Sequence, residues 1–371
     1  MPRPHSRIAH PSHPARTARL LLSCAAALLA ALAVPPHALA KLTAANWDAA
    51  AQREVVKAGL MSEASGSGFN GAGALSAGAA NQALTALAAR RIAAPGEEAE
   101  GEASGARSAS ATSSPRQAVK ATGTITLTRF DTLLVEQLGL GDVAAHVQQV
   151  AATAGLKPPD YFGTEVVARY LGLRYNHPSG EDSLELYPWN TITRAEAAHS
   201  FSVVLQQGSW AVESARQTLE VFSLPQYTAS QLRVLRVAVS KIGMPYVWGG
   251  TTDSTEDGLE HGGYDCSGYA WRVYKLSRLP WGAKILGRTA AQQGGEIAKS
   301  QRVRLQSVQP ADLLFFGTAR FNSTATEANV YHEGIALSSE WAIHSSGQGV
   351  YVLPLTSGWL TQQFAWARRV L

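Results

Sequence analysis

Apolar positions repeat at helical spacing in several parts of the chain. In residues 44–60, Trp47, Val55, Val56 and Leu60 share one side, and in residues 75–89 Leu75, Leu84 and Leu87 do the same. This pattern predicts amphipathic helices. A further helix is expected over 163–171, and residues 228–242 carry Leu232, Leu235, Val239 and Ile242 on one stripe before Pro245 stops it. Asp265 is a natural N-cap for a helix running to Leu276. Beyond it the pattern changes to short apolar runs at 313–316, 333–337, 341–345, 350–355 and 365–371, which read as strands. The chain is therefore expected to be helical first and α+β at its C-terminal end.

Two stretches carry neither pattern. Residues 62–122 are rich in Ala, Gly and Ser, and residues 94–120 are the poorest in large apolar side chains, so 91–122 read as a linker. Residues 1–40 have a basic start (Arg3, Arg7, Arg16, Arg19), a 15-residue apolar run over 20–34 and Ala38-Leu39-Ala40 as an A-x-A cleavage site. They read as a secretory signal, with Lys41 beginning the mature chain and no membrane anchor left.

That segment changes the charge balance. The 371 residues hold 32 Lys and Arg against 28 Asp and Glu, but the four arginines of 1–40 account for the whole excess. The remainder has no net charge, and nothing in it argues for nucleic acid. Two cysteines exclude a disulfide scaffold, and Cys24 lies in the segment removed. Cys266 is then the one thiol of the exported protein, either an inert buried residue or one that is used.

After the linker a repeat is visible. Thr126-Leu127-Thr128-Arg129-Phe130-Asp131 recurs 65 residues later as Thr191-Ile192-Thr193-Arg194-Ala195-Glu196, and each copy is expected to open a helix with a Thr cap followed three residues on by an acid. Thr193-Arg194-Ala195-Glu196, and more weakly Thr128-Arg129-Phe130-Asp131, resemble the signature of S-layer homology modules. Residues 41–90 look like a degenerate further unit, with Leu75-Ser76 where the signature would stand, and 123–222 hold the two others. The resemblance implies a three-fold helical bundle that binds an anionic secondary wall polymer, a role carried to Arg194 and Arg129. The alternative is that both arginines are solvated residues at helix starts.

Cys266 stands in Tyr264-Asp265-Cys266-Ser267-Gly268, in the first turn of its expected helix. Free N–H groups and the helix dipole there are expected to favour a thiolate. A nucleophile needs a base and the base an orienting partner. Of six histidines after residue 40, only His332 and His344 lie on strands beyond Cys266. A three-residue hairpin loop, Ser338-Ser339-Glu340, would pair Gly334 with His344 and put both histidines on one face. A two-residue loop would separate them.

Residues 228–371 resemble the NlpC/P60 family of cell-wall cysteine peptidases. The resemblance lies in residues 242–250, Tyr264 to Gly268, 288–292, 310–316, 332–335 and 343–347, in that order. It implies a papain-like domain in which Cys266, His332 and His344 form the catalytic set, while Tyr246, Asp265 and Ser267 line the cleft. It also implies cleavage of peptidoglycan stem peptides, typically between D-γ-glutamate and the diamino acid, by a secreted, wall-associated enzyme without metal or cofactor. Departures from the family pattern are Ala311 in the turn before Leu313, Glu333 after the histidine, and long loops at 251–263 and 318–331. Competing readings are an N-acetylmuramoyl-L-alanine amidase, an acyltransferase with the same triad, and a wall-binding structural protein.

Overall fold

The computed structural model describes residues 43, 45–63, 68–93 and 122–371 apart from 179, 279 and 357. The stretch read as a secretory signal and most of the one read as a linker lie outside the described residues.

The helical region contains α1 (Ala49–Lys57), α2 (Ala77–Ala93), α3 (Leu127–Gln137), α4 (Gly141–Thr153), α5 (Phe162–Tyr170), α6 (Arg194–Gln206) and α7 (Ser209–Glu220). The short extended segments that lead into α2, α3 and α6 meet at one point. There Leu75 N–H donates to the Ile192 carbonyl (2.9 Å), Ile192 N–H to that of Ile125 (3.0 Å), and Ile125 N–H to that of Leu75 (3.2 Å), closing a ring. All three side chains are buried. Each ring residue is followed by a hydroxyl that caps its helix: Ser76 accepts from Ala79 N–H, Thr126 from Arg129 N–H and Thr193 from Glu196 N–H.

This fixes the register of the repeat differently from the sequence match. The cap of α3 is Thr126 rather than Thr128, so Thr126 corresponds to Thr193 and the spacing is 67 residues, not 65. The hydroxyl two residues earlier wins because it alone follows the ring residue, where the backbone is still extended.

The C-terminal region opens with α8 (Ala229–Val239), capped by a reciprocal Thr228–Gln231 pair. A two-stranded ribbon follows, β1 (Thr251–Thr252) with β2 (Gly263–Tyr264), then α9 (Cys266–Leu276) and α10 (Ala290–Gly295). The main sheet comprises β3 (Arg302–Val303), β4 (Leu313–Phe316), β5 (His332–Ala336), β6 (Trp341–Ser346), β7 (Gly349–Pro354) and β8 (Phe364–Arg368), with α11 (Gly358–Gln363) before β8. Its order is β3-β8-β4-β5-β6-β7, and every pairing is antiparallel. Alternation along the strands divides the side chains between two layers. Leu313, Phe315, Ile335, Ile343 and Trp366 share a core with Tyr269, Ala270 and Val273 of α9, while Leu314, Phe316, Ala336 and Ala342 pack with Leu360 of α11. The fold is α+β, with a helical part preceding helices laid on an antiparallel sheet.

The two regions are joined by buried polar contacts as well as apolar packing. Arg169 of α5 donates to the Gly243 carbonyl (3.1 Å), Arg236 of α8 to that of Gly155 (2.7 Å), and the Tyr227 hydroxyl to that of Leu337 (2.9 Å). Among the described residues no helix is long and apolar enough to cross a membrane.

Candidate active site

Cys266 is the first residue of α9, and the residues on either side of it explain why the chain turns into a helix there. The Asp265 carboxylate accepts from Gly268 N–H (2.6 Å) and Gly249 N–H (3.1 Å), while Asp265 N–H donates to the Gly250 carbonyl (3.1 Å). A Cβ on Gly268 would run into that same carbonyl, and Gly249 has φ +84°. The Gly249-Gly250 and Cys266-Ser267-Gly268 pairs are thus two sides of one contact: the loop folds over the helix start because neither side has a side chain there.

Arg288 completes this cap. Its guanidinium bonds both Asp265 oxygens (3.0 and 2.7 Å) and the Ser267 hydroxyl (3.2 Å). The bidentate geometry fixes the carboxylate plane, which in turn fixes the first turn of α9. Asp265 and Ser267 are both buried and turned toward Arg288.

The thiol itself is buried, and its pKa is pushed up to about 12 by that burial and then by the nearby Asp265 and Glu333 carboxyls. Backbone N–H groups of Glu333 and Ser267 act in the opposite direction and do not prevail. Burial and the neighbouring carboxyls thus oppose the thiolate expected from the helix start. The partial charge of one helix end is outweighed by desolvation and by the acid that caps the same helix. Glu333 is fully buried on β5, and neither carboxylate oxygen has a hydrogen-bond partner among the described residues. Burial raises its pKa well above the usual carboxylate range.

The hairpin has the three-residue loop, with Gly334 opposite His344 and Ala336 opposite Ala342. His332 and His344 consequently share a face. His332 Nε2 and His344 Nδ1 are 2.7 Å apart, with ring planes at 83°. A Cβ on Gly334 would come within 3.0 Å of that of His344, so the glycine leaves room for the second ring to lean toward the first. Phe316 and Trp359 flank His332, and Tyr351 lies against His344. Burial lowers both imidazole pKa values, to about 4 for His332 and well below the ordinary 6.5 for His344, where the neighbouring His332 adds to it. Both rings are neutral at pH 7, and one proton is shared between Nε2 and Nδ1.

Cys266, His332 and Tyr246 wall one cavity of about 270 Å³, with Trp248 and Tyr331 at its sides. The sequence-predicted set is thus brought together at Cys266, His332 and Tyr246, with His344 behind His332 and with Asp265 and Ser267 supporting the helix start. Arg194 and Arg129 lie elsewhere. The Arg194 guanidinium donates to the carbonyls of Phe69 (2.9 Å) and Ser62 (2.5 Å) and stacks on the Phe69 ring, so it ties two parts of the helical region together and has fewer donors for an external anion. Arg129 comes three residues after its cap, where α6 has Glu196, so the structural register does not match it to Arg194.

Several site residues carried no assignment from sequence. Arg288 lies in a quoted motif, and the buried Asp265 charge beside it was the signal that a cation was needed. Tyr175, Asn176, His177 and Asp182 also line the cavity and come from the segment between α5 and α6. No motif marks them.

A helix-start thiol and a strand-borne, partnered imidazole on one cavity are the equipment of a cysteine hydrolase. Residues 243–369 match the NlpC/P60 family, and the C-terminal region of this chain is an NlpC/P60 domain. Among curated relatives, Probable peptidoglycan endopeptidase LytE of Bacillus subtilis is 29% identical over 132 residues, 36% of this chain and 32% of that protein. Protein P54 of Enterococcus faecium is 30% identical over 132 residues, 36% of this chain and 21% of that protein. Gamma-D-glutamyl-L-lysine dipeptidyl-peptidase of Bacillus subtilis is 24% identical over 139 residues, 37% and 40% of the two chains. The matched regions thus span between 21% and 40% of these relatives' own lengths. Among solved structures, the NlpC/P60 domain of the peptidoglycan hydrolase SagA is 25% identical, covering 38% of this chain and 97% of that one with a TM-score of 0.29.

Proposed function

We propose that this protein is an exported peptidoglycan hydrolase that cleaves stem peptides as a cysteine endopeptidase, at the bond between D-γ-glutamate and the diamino acid. The observation that carries this reading is the shared cavity: within an NlpC/P60 domain, Cys266 and His332 wall one space and His344 is bonded to His332. The relatives named as peptidoglycan endopeptidase and γ-D-glutamyl-L-lysine dipeptidyl-peptidase support the substrate class and the bond.

The chemistry follows from neutral partners. With His332 Nε2–H donating to His344 Nδ1, His332 Nδ1 is left as the acceptor for the thiol proton. As Cys266 Sγ adds to the amide carbonyl, the thiol proton moves to His332, and the imidazolium then gives it to the leaving amine. A thioester on Cys266 remains. Water, deprotonated by the same imidazole, adds to it and releases the carboxylic acid and the thiol. The tetrahedral oxyanion is met by the Cys266 N–H and the Tyr246 hydroxyl, whose raised pKa keeps it a donor. Each such donor is worth about 2.7–4 kcal/mol in well-studied acyl-transfer sites.

The reading is tested by incubating the protein with purified disaccharide peptides and following products by mass spectrometry. Release of a peptide with a new amino terminus on the diamino acid is expected, and none from Cys266→Ala. Lactyl-linked peptide released whole from the sugar would identify an amidase instead. Export is tested by N-terminal sequencing of secreted protein, where Lys41 is the expected first residue.

A further inference from the structure

One wall of the catalytic cavity is formed by residues that precede the family domain altogether: Tyr175, Asn176, His177 and Asp182, against a match that begins at residue 243. Asn176 is the residue through which this wall holds the rest. Its backbone N–H donates to the Gly347 carbonyl (2.9 Å), and its side-chain Oδ1 accepts from Tyr246 N–H (2.8 Å). Its Nδ2 reaches back to the His177 carbonyl (3.3 Å). Tyr246 belongs to the loop before α9, and Gly347 follows β6, three residues after His344. A single residue of the helical region thus bridges the two lips of the cleft, one from the cysteine side and one from the histidine side.

What holds Asn176 is the residue after it. His177 N–H donates to Glu185 Oε1 (2.6 Å), its Nδ1 lies 3.1 Å from the same oxygen, and its Nε2 lies 3.0 Å from Glu196 Oε1. The Trp47 ring covers it at 4.5 Å. Burial would lower the pKa of this imidazole, but the hydrogen bonds and charges of the two carboxylates outweigh it and raise the value to about 9. The two acids thus favour the imidazolium form, while burial raises the pKa of one of them, Glu185, to about 7. One of those acids, Glu196, closes the Thr193-Arg194-Ala195-Glu196 signature, and it also faces Arg174 at 3.7 Å. Arg174 in turn pairs with Asp131 at 2.8 Å, an acid of the other repeat copy. The helical core thereby reaches the cleft through a continuous series of buried titratable side chains.

We propose that Asn176 is a positioning residue of the active site, which holds the Tyr246 and Gly347 lips at a fixed separation, so that the helical region is a working part of the cleft rather than an independent neighbour. For its kinetic effect this rests on the peptidase reading above. For its structural effect it does not.

The test uses the full chain with Asn176→Ala and Asn176→Asp. Aspartate keeps an oxygen for the Tyr246 N–H, while it replaces the donor to the His177 carbonyl by a second acceptor and adds a charge. Asn176→Ala is expected to lower kcat/KM on stem peptides by about tenfold to a hundredfold, the scale of a small misplacement in a site. Asn176→Asp should recover to within about threefold of wild type on that same scale. Amide hydrogen exchange supplies the second readout. In Asn176→Ala, exchange in a peptide covering 244–249 should accelerate, while strands β5 and β6 keep their protection. Wild-type kinetics in Asn176→Ala would overturn the proposal, and so would an Asp variant as impaired as the Ala variant with exchange at Tyr246 unchanged. If the wild-type chain cleaves no stem peptide, the substrate reading fails, and exchange at 244–249 alone decides the positioning role: faster exchange supports it and unchanged exchange refutes it.

Discussion

His332 Nε2 lies 2.7 Å from His344 Nδ1, so in the proposed mechanism Nδ1 is the His332 nitrogen that takes the thiol proton. The proposed mechanism gives the two rings unequal duties: one moves the proton, and the other holds the first in a single tautomer. His332→Ala should lower kcat by about 10²–10⁴-fold, the usual range for loss of a general base. His344→Ala should be milder, on the order of tenfold below wild type, because orientation is lost but the base remains. The effects should not add in the double variant, since the two act as one unit. Steady-state kinetics on a soluble stem peptide would check all three.

The state of the thiol gives a second prediction. Cys266 has its pKa raised to about 12 and His332 has its own lowered to about 4. A thiolate–imidazolium pair would show iodoacetamide reactivity that is flat across neutral pH. Here the free enzyme should react slowly at pH 7 and faster with every step toward alkaline pH, with no neutral plateau. A plateau between pH 5 and 8 would mean that the ion pair forms without substrate.

The same burial makes the histidine pair a liability in acid. Both folded-state pKa values lie below the ordinary 6.5, so the unfolded chain takes up protons first as the pH falls. Stability is therefore expected to decline from about pH 6.5 downward, with the His332 contribution levelling near pH 4 after a loss of about 3 kcal/mol. Urea midpoints measured across this window should fall more steeply for wild type than for a His332→Gln, His344→Gln double variant. Equal slopes would show that the pair is already solvated or charged.

Arg288 should matter for geometry more than for charge. Its fork matches both oxygens of Asp265, a geometry that an ammonium cannot reproduce. The side chain is 41% exposed, so solvent reduces its worth to about 1 kcal/mol of stability. Activity should be the more sensitive readout: Arg288→Lys should lose activity almost as Arg288→Ala does, with a small change in thermal midpoint for either.

What the sequence disclosed was local. Asp265 before Cys266 is a short-range feature, and it was enough to place the thiol at a helix start; the loop Ser338-Ser339-Glu340 allowed both histidines on one face, and the observed register selects that arrangement. The apolar run Leu313-Leu314-Phe315-Phe316 marked a central strand by the same logic. α4 and α7 went unseen because their buried stripes are Ala-rich, with Ala144 and Ala151 in one and Ala211 and Ala215 in the other, and alanine gives little contrast between faces. The repeat was found, but its register slipped by two residues, because Thr126 and Thr128 are equally good caps until the ring bond at Ile125 selects one. The thiol's protonation was misjudged because burial is a property of the packed fold and not of the helix start. Asn176 and His177 left no trace in any local pattern, since their partners Glu185, Glu196, Tyr246 and Gly347 lie 8 to 171 residues away.

The ring of Leu75, Ile125 and Ile192 also sets a timetable for folding. During synthesis Leu75 appears long before Ile192, and until then its N–H has no ring acceptor. Helix α1 waits in the same way, because its Asp48 bonds His199 of α6. An open stack of repeats can grow one unit at a time, but a closed ring cannot, and contacts so distant along the chain form slowly. Asn176 lies inside the span that the ring encloses. A chain caught before closure would carry Cys266, His332 and His344 in their own domain while lacking the wall that steadies Tyr246, so activity should emerge later in refolding than the sheet itself.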